Sequence, residues 1–291
     1  MAITLFPETT EQMTPVEFLD HVARNVDPYS DESIMSASHA LAKLARNRSF
    51  LVDFVNSYLL AEAGGPRSGF YSMQSALLGQ TDDGVFKLRA NFWAPVRTSG
   101  RAARDEAALL SYELAHDHNF PFLTIGYFGP GYDTLIYEYD KSTVAGYEGE
   151  RVELRFLEKA RLEVNKVLFF RPSTDIHIQL PPKSFSISLN LLVHRKDNPL
   201  IPQYVFDVER GNIAGFVDSI DNLRIKFLQL AGHVFDADTP DLLREIAKTH
   251  RCVRTRQMAL RSLALASPEA KEQVMAMAKD LPEHLRAELR T

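Results

Sequence analysis

Apolar positions recur at helical spacing through the first sixty residues. Phe18, Leu19, Val22 and Val26 share one face of a helix opened by Thr14-Pro15-Val16-Glu17. That tetrapeptide has the form of a capping box, with proline at the first helical position. Ile34, Ala37, Leu41, Leu44 and Ala45 continue the period, followed by Leu51, Phe54, Val55, Tyr58 and Leu59. Ala63-Gly64-Gly65-Pro66-Arg67-Ser68-Gly69 then has the composition of a loop.

From about residue 85 the period falls to two. Val85, Lys87 and Arg89 alternate with Phe86, Leu88 and Ala90, and the pattern runs on to Phe92 and Trp93. Residues 120–127 are aromatic and β-branched, and Gly129-Pro130-Gly131 marks a hairpin before a strand over 134–139. Further strands are expected at 152–156, 162–164, 167–170 and 176–178, and where Phe185, Ile187 and Leu189 alternate with Ser184, Ser186 and Ser188. Short strands punctuated by glycine and proline predict an antiparallel sandwich or barrel. Helical spacing then returns in Ile220, Leu223, Phe227 and Leu230, in a helix opened by Thr239-Pro240, in residues 258–265, and after Ser267-Pro268-Glu269. The expected organisation is a helical segment over 1–80, a β core over 81–215 and a helical segment over 216–291. The flanks carry apolar faces that need cover, so one compact unit is expected.

Charge and cysteine content narrow the function classes. With 33 basic and 38 acidic residues the net charge is −5, the wrong sign for wrapping a nucleic-acid backbone. The basic residues Lys248, Arg251, Arg254, Arg256 and Arg261 read as a solvated helix face. No apolar run is long enough for a membrane span, and the first eight residues lack the features of a signal peptide, so a cytoplasmic location is expected. A single cysteine, Cys252, leaves no disulfide framework and no multi-cysteine metal site. Metal ligands must then be His, Asp or Glu.

The segment Ala115-His116-Asp117-His118-Asn119-Phe120 carries the clearest chemistry. Residues two apart in a strand face the same way, so His116 and His118 aim at one point while Asp117 aims away from it. His177, between Ile176 and Ile178, is the candidate third ligand from another strand. Three neutral imidazoles suit Fe(II), and also Zn, Ni, Cu or Mn, with coordination positions left open. Arg171, a few residues before His177, either clamps a substrate carboxylate or pairs with Asp175; Arg89 is a similar candidate. The remaining histidines, His21, His39, His194, His233, His250 and His284, lack partners, and His194 is expected in solvent at a strand end.

A His-x-His pair on one strand with a later third histidine resembles the cupin superfamily, over roughly residues 85–195. The three-His sets of cysteine-dioxygenase-like and thiol-dioxygenase-like cupins are the most similar arrangement. The glutamate of the usual cupin motif is replaced here by Phe122 and Leu123. The next acidic residue is Glu138, in Tyr137-Glu138-Tyr139-Asp140, as a fourth ligand or as an acceptor for a histidine N–H. The resemblance implies a mainly β fold with helical flanks: a cupin-like antiparallel β-barrel, or double-stranded β-helix. It implies a mononuclear non-haem iron oxygenase acting with O₂ on a small amino-acid-like or thiol substrate. His116, His118 and His177 would hold the metal, with Arg171, Glu138 and Tyr137 as catalytic residues, and a homodimer fits that picture. Two alternatives are a non-catalytic cupin that senses or binds a small molecule, and a metal-dependent isomerase or hydrolase.

Overall fold

A computed structural model of the chain describes residues 3–62, 70–72, 74–217, 223–281, 283, 286 and 289. The loop expected at 63–69, Ile220 and His284 lie outside the described residues. The elements, in order, are β1 (Ile3–Leu5), α1 (Pro15–Asn25), α2 (Asp31–Ser36), α3 (Ser38–Arg46), α4 (Ser49–Glu62), β2 (Phe70–Ser72), β3 (Ser75–Gln80), β4 (Phe86–Trp93), α5 (Gly100–Leu109), β5 (His116–Asp117), β6 (Phe122–Phe128) and β7 (Tyr132–Glu138). They continue with β8 (Arg155–Leu162), β9 (Val167–Phe170), β10 (Asp175–Gln179), β11 (Ser186–Val193), β12 (Tyr204–Asp207), β13 (Asn212–Phe216), α6 (Leu223–Ala231), α7 (Thr239–Thr249), α8 (Val253–Ala266) and α9 (Lys271–Met277).

The strands form two antiparallel sheets. One has the order β1-β9-β6-β11-β4-β3-β2, the other β13-β12-β5-β10-β7-β8. Between β4 and β11 the chain passes repeatedly from one sheet to the other. The eight central strands pair as β4-β11-β6-β9 and β5-β10-β7-β8. This is the jelly-roll arrangement of a double-stranded β-helix, so the fold is mainly β with helical flanks.

Alternation along the strands sorts the core. Leu88, Ala90, Leu123, Ile125, Phe169, Leu189 and Leu191 pack on Phe18, Val22, Ile34, Leu41 and Leu44 of α1–α3. The capping box holds α1 at its start: Glu17 N donates to Thr14 Oγ1 at 3.3 Å and Thr14 N donates to Glu17 Oε2 at 2.8 Å. On the other side of the same sheet, Trp93, Phe122, Phe170 and Leu192 meet Tyr132, Ile136 and Leu162 of the second sheet. Ile176 and Ile178 look outward instead, to a cluster with Tyr204, Phe206 and Ile213. The helices α6–α9 bury their own faces in a separate cluster around Leu243, Leu260, Leu263 and Val274. The hairpin at Gly129-Pro130-Gly131 needs its glycines: Gly131 has φ +80°, and a Cβ there would lie 2.0 Å from the Leu162 carbonyl oxygen.

Local differences from the sequence reading have identifiable causes. The expected strands at 152–156 and 162–164 are replaced by the single strand β8, because Val152 and Leu154 belong to the outer cluster around Tyr204. The helix α5 sits inside the β region, with only Ala107 of its side chains fully buried, too little to set a helical period. The edge strand β13 escaped the pattern because Asn212 and Gly215 interrupt its alternation.

Candidate metal centre

His116 and His177 are direct partners across the β5–β10 pair. His118 lies one residue beyond the end of β5, yet the three rings converge. Ring centroids stand 4.4 Å apart for His116–His177, 5.0 Å for His116–His118 and 5.1 Å for His118–His177. Their candidate ligand atoms all lie within 4.8 Å of one another. His177 is buried, with Phe122 and Phe170 edge-on to its ring.

Each Nδ1 atom has a polar partner, and the partner of His177, Gln179, also lies 3.3 Å from its Nε2. His116 Nδ1 is 3.0 Å from the Leu114 carbonyl oxygen, which can only accept, so that nitrogen carries the proton and Nε2 is a bare acceptor. His118 Nδ1 is 2.9 Å from Gln203 Oε1, which sets the same tautomer. Gln179 Nε2 lies 3.0 Å from His177 Nδ1, and His177 Nε2 lies 3.1 Å from His116 Nε2. As the Gln179 amide is oriented, it donates to Nδ1, and His177 then donates its Nε2 proton to His116. Half a turn of that amide reverses both roles and leaves two bare Nε2 atoms facing each other. Nitrogens bound to one first-row ion at about 2.0–2.1 Å stand roughly 2.9–3.4 Å apart for bond angles between octahedral and tetrahedral. The 3.1 Å separation falls in that span, so the donor set fits a divalent metal that takes the place of the shared proton.

The electrostatics agree with neutral ligands. Burial pushes His116 below the ordinary imidazole value, and burial followed by mutual repulsion pushes His118 and His177 well below it. The positive charge of Arg89 acts in the same direction on all three. Imidazoles already neutral near pH 7 need lose no charge-bearing proton to bind a metal.

The rings open into a cavity of about 160 Å³ between the two sheets. Across from the histidines stand Arg89 and Asn91 of β4, Thr124 of β6 and Asn190 of β11. Thr124 Oγ1 donates to Asn190 Oδ1 at 2.6 Å. Among the residues lining the cavity there is no Asp, Glu, Lys or Cys. Tyr132 lines it as well, its phenol pushed far up by burial.

The other expected site residues are not among those lining the cavity. Glu138 lies outside the metal-capable group of three histidines found among the described residues. Its carboxylate is held by Arg155 Nε at 2.8 Å and Arg171 Nη2 at 2.9 Å, and these bonds lower it from the usual carboxylate value. Arg171 is clamped by Asp175, with Nη2 2.5 Å from Oδ1, so its fork is spent on protein carboxylates. This is the Asp175 pairing rather than a free substrate clamp. Tyr137 pairs with outward-facing Ile176 and packs with the outer cluster, on the face opposite the histidines. His194 is not in solvent: it stacks on Phe120 at 4.6 Å, and burial lowers it to about 4.

Sequence reasoning missed Gln203 and Gln179, which orient His118 and His177. No local signal marks Gln203, which reaches across 85 positions, whereas Gln179 lies two residues from His177 on the same face of β10. Arg89 and Asn91 did leave a trace, as polar residues alternating with the apolar Leu88 and Ala90. That pattern ordinarily means a solvated face, whereas here it lines an interior cavity.

No protein-family model matches the chain, and no curated protein matches it. Solved structures similar in part include a cupin 2 conserved barrel domain protein from Salinispora arenicola, at 12% identity, TM-score 0.23, over 41% of this chain and 74% of that one. A protein from Photorhabdus luminescens is similar at 11% identity, TM-score 0.27, over 46% of this chain and 84% of that one. A salicylate 1,2-dioxygenase from Pseudaminobacter salicylatoxidans is similar at 8% identity, TM-score 0.28, over 50% of this chain and 33% of that one. Scores this low carry no argument about activity; the jelly roll is read from the strand order of this chain, and the metal-capable group from its three histidines. No helix among the described residues is long and apolar enough to cross a membrane.

Proposed function

We propose that this protein is a mononuclear non-haem iron oxygenase acting on a small anionic substrate. His116, His118 and His177 hold the metal through Nε2. Bound Fe(II) supplies O₂ activation at its open coordination positions. The observation that carries this reading is the lining of the cavity: once the three imidazoles are ligands, no carboxylate, amine or thiol remains there to act as general base or nucleophile. The wall therefore leaves the reacting chemistry to the metal and what binds it rather than to a protein carboxylate, amine or thiol.

The chain's own residues then bind, orient and exclude. Arg89 offers its guanidinium to a substrate carboxylate or similar anion across the cavity from the histidines. Asn91 and Asn190 add polar contacts on the same wall, and Phe122 and Phe170 shield the imidazoles from water. A volume of about 160 Å³ suits a substrate of amino-acid size, below the usual range for drug-sized ligands.

The test is anaerobic loading with Fe(II), followed by O₂-uptake measurements against a panel of small amino and thiol carboxylates. Uptake that needs both iron and one panel member, and that disappears in His177→Ala, supports the reading. Iron bound at one per chain with tight substrate binding and no O₂ uptake would favour the non-catalytic binding protein instead.

A further inference from the structure

A second concave site lies on the outer side of the β5–β10 sheet, between that sheet and α8. It is a pocket of about 470 Å³ with four cationic residues on its wall: Lys141, Arg251, Arg254 and Arg261. Glu148 is the one carboxylate residue lining it. In a chain of net charge −5, this is a local reversal of sign.

The pocket is built rather than incidental. The buried Glu150 carboxylate accepts from Ala145 N at 2.8 Å, Gly146 N at 2.6 Å and Tyr147 N at 3.3 Å, which fixes the loop forming one wall. Gly146 has φ +91°, and a Cβ there would lie 2.2 Å from the Tyr204 hydroxyl. Lys141 Nζ donates to that hydroxyl at 2.6 Å, and the Arg254 guanidinium lies 3.4 Å from the Phe216 ring centroid. Arg251 reaches Asp197 at 3.5 Å. Among the described residues no carboxylate stands within 4 Å of Lys141 or Arg261, and the negative charges of Asp117 and Glu150 reach Lys141 only from beyond that distance. A concave, partly desolvated wall with excess positive charge is stabilised by a bound anion.

The pocket also touches the metal centre through three consecutive residues. Pro202 and Tyr204 line the pocket, while Gln203 between them faces the other way and holds His118 Nδ1. Tyr204 N donates to Asp117 Oδ1 at 2.6 Å, which ties the same segment to the residue between His116 and His118. A shift of this segment therefore moves the group that orients a metal ligand.

We propose that this pocket is a second ligand site, for a small organic phosphate monoester, and that its occupancy is transmitted to His118 through residues 202–204. Four cations match a dianionic head group better than a single carboxylate, and arginine forks suit phosphate oxygens. The transmission half rests on the metal-centre reading above; the binding half does not.

The binding half is tested by calorimetry on metal-free protein with phenyl phosphate. Saturable binding is expected, at least tenfold weaker in Lys141→Met and in Arg261→Gln and unchanged in His177→Ala. Arg261 is exposed on α8, so its variant keeps the test valid if Lys141→Met fails to fold. No saturable binding, or unaltered binding in Arg261→Gln, overturns the site. Loss in His177→Ala places the anion in the barrel cavity and also overturns it. Benzoate binding as tightly as phenyl phosphate overturns the phosphate assignment, and a short oligonucleotide binding more tightly overturns the small-molecule one. The transmission half is read from Co(II) affinity with and without saturating phenyl phosphate. A change of threefold or more is expected, and by linkage Co(II) shifts phenyl phosphate affinity by the same factor. An unchanged Co(II) affinity overturns transmission, whereas a protein that binds no Co(II) overturns the metal-centre reading and leaves the pocket standing.

Discussion

The two walls of the barrel cavity are built from the same kind of strand and carry opposite chemistry. The β5–β10 wall presents three imidazoles that burial keeps neutral, each turned by a partner on its Nδ1 side. The β4–β11 wall presents Arg89, Asn91 and Asn190, a permanent cation among neutral amides. One wall could hold a cation, and in the proposed function the other takes an anion. The positive charge of Arg89 repels a metal cation. It also lowers the proton affinity of all three histidines, which removes the metal's competitor from the ligand atoms.

The sharpest way to break this contrast is to remove a ligand from the cation wall. His177→Ala is expected to lose metal from about one ion per chain to none, while Glu138→Gln keeps full stoichiometry because Glu138 is spent on Arg155 and Arg171. Elemental analysis of the two variants side by side checks this. The reverse result would make the site two histidines and one carboxylate.

On the anion wall, Arg89→Met is expected to keep the metal and to weaken binding of an anionic substrate by about 10–100-fold, the scale of one charge-assisted contact. Substrate titration of the metal-loaded protein reads this directly. If Arg89→Met loses the metal as well, the two walls are not separable.

A milder change sharpens the comparison by acting one bond away from the centre. Gln203→Leu removes the acceptor that sets the His118 tautomer. Metal affinity is expected to fall by about 10–100-fold with the fold intact, by competition against a chelator. Affinity within twofold of the original would show that His118 is oriented without Gln203.

The smallest effect concerns His194, outside both walls. Its folded value of about 4 lies below the ordinary 6.5, so between those values the unfolded chain binds a proton that the folded chain refuses. Stability therefore falls as pH drops from about 6.5 towards 4, and His194 contributes no slope above that window. Melting temperatures across this range should show a shallower decline for His194→Gln. An unchanged slope would mean that His194 stays neutral in both states or is charged in both.

Much of the cation wall was legible in the sequence, for a local reason. Alternation in a strand is a geometric rule, so His116 and His118 had to share a side and Asp117 had to oppose them. Ile176 and Ile178 marked the outward face of β10 and thereby set His177 inward. The second wall was legible only as Arg89, a candidate clamp, on a polar alternation, because a strand's sequence does not say whether its polar face meets solvent or a wet cavity. Arg171 shows the limit from the other side. It lies close to His177 in sequence, but Asp175 and Glu138 complete its charge before any ligand could.

What the sequence determined by itself was therefore whatever depends on neighbours within a few positions: the capping box at Thr14, the turn at Gly129-Pro130-Gly131, and the face on which each histidine falls. The tertiary structure alone decided which strands became partners, which glutamine turned His118, and which arginine reached the cavity. Those outcomes join residues from 61 to 101 positions apart, such as His116 with His177 and Arg89 with Asn190. Hydrogen bonds and buried charges are set by what a side chain meets in space, and spacing along the chain carries no record of that.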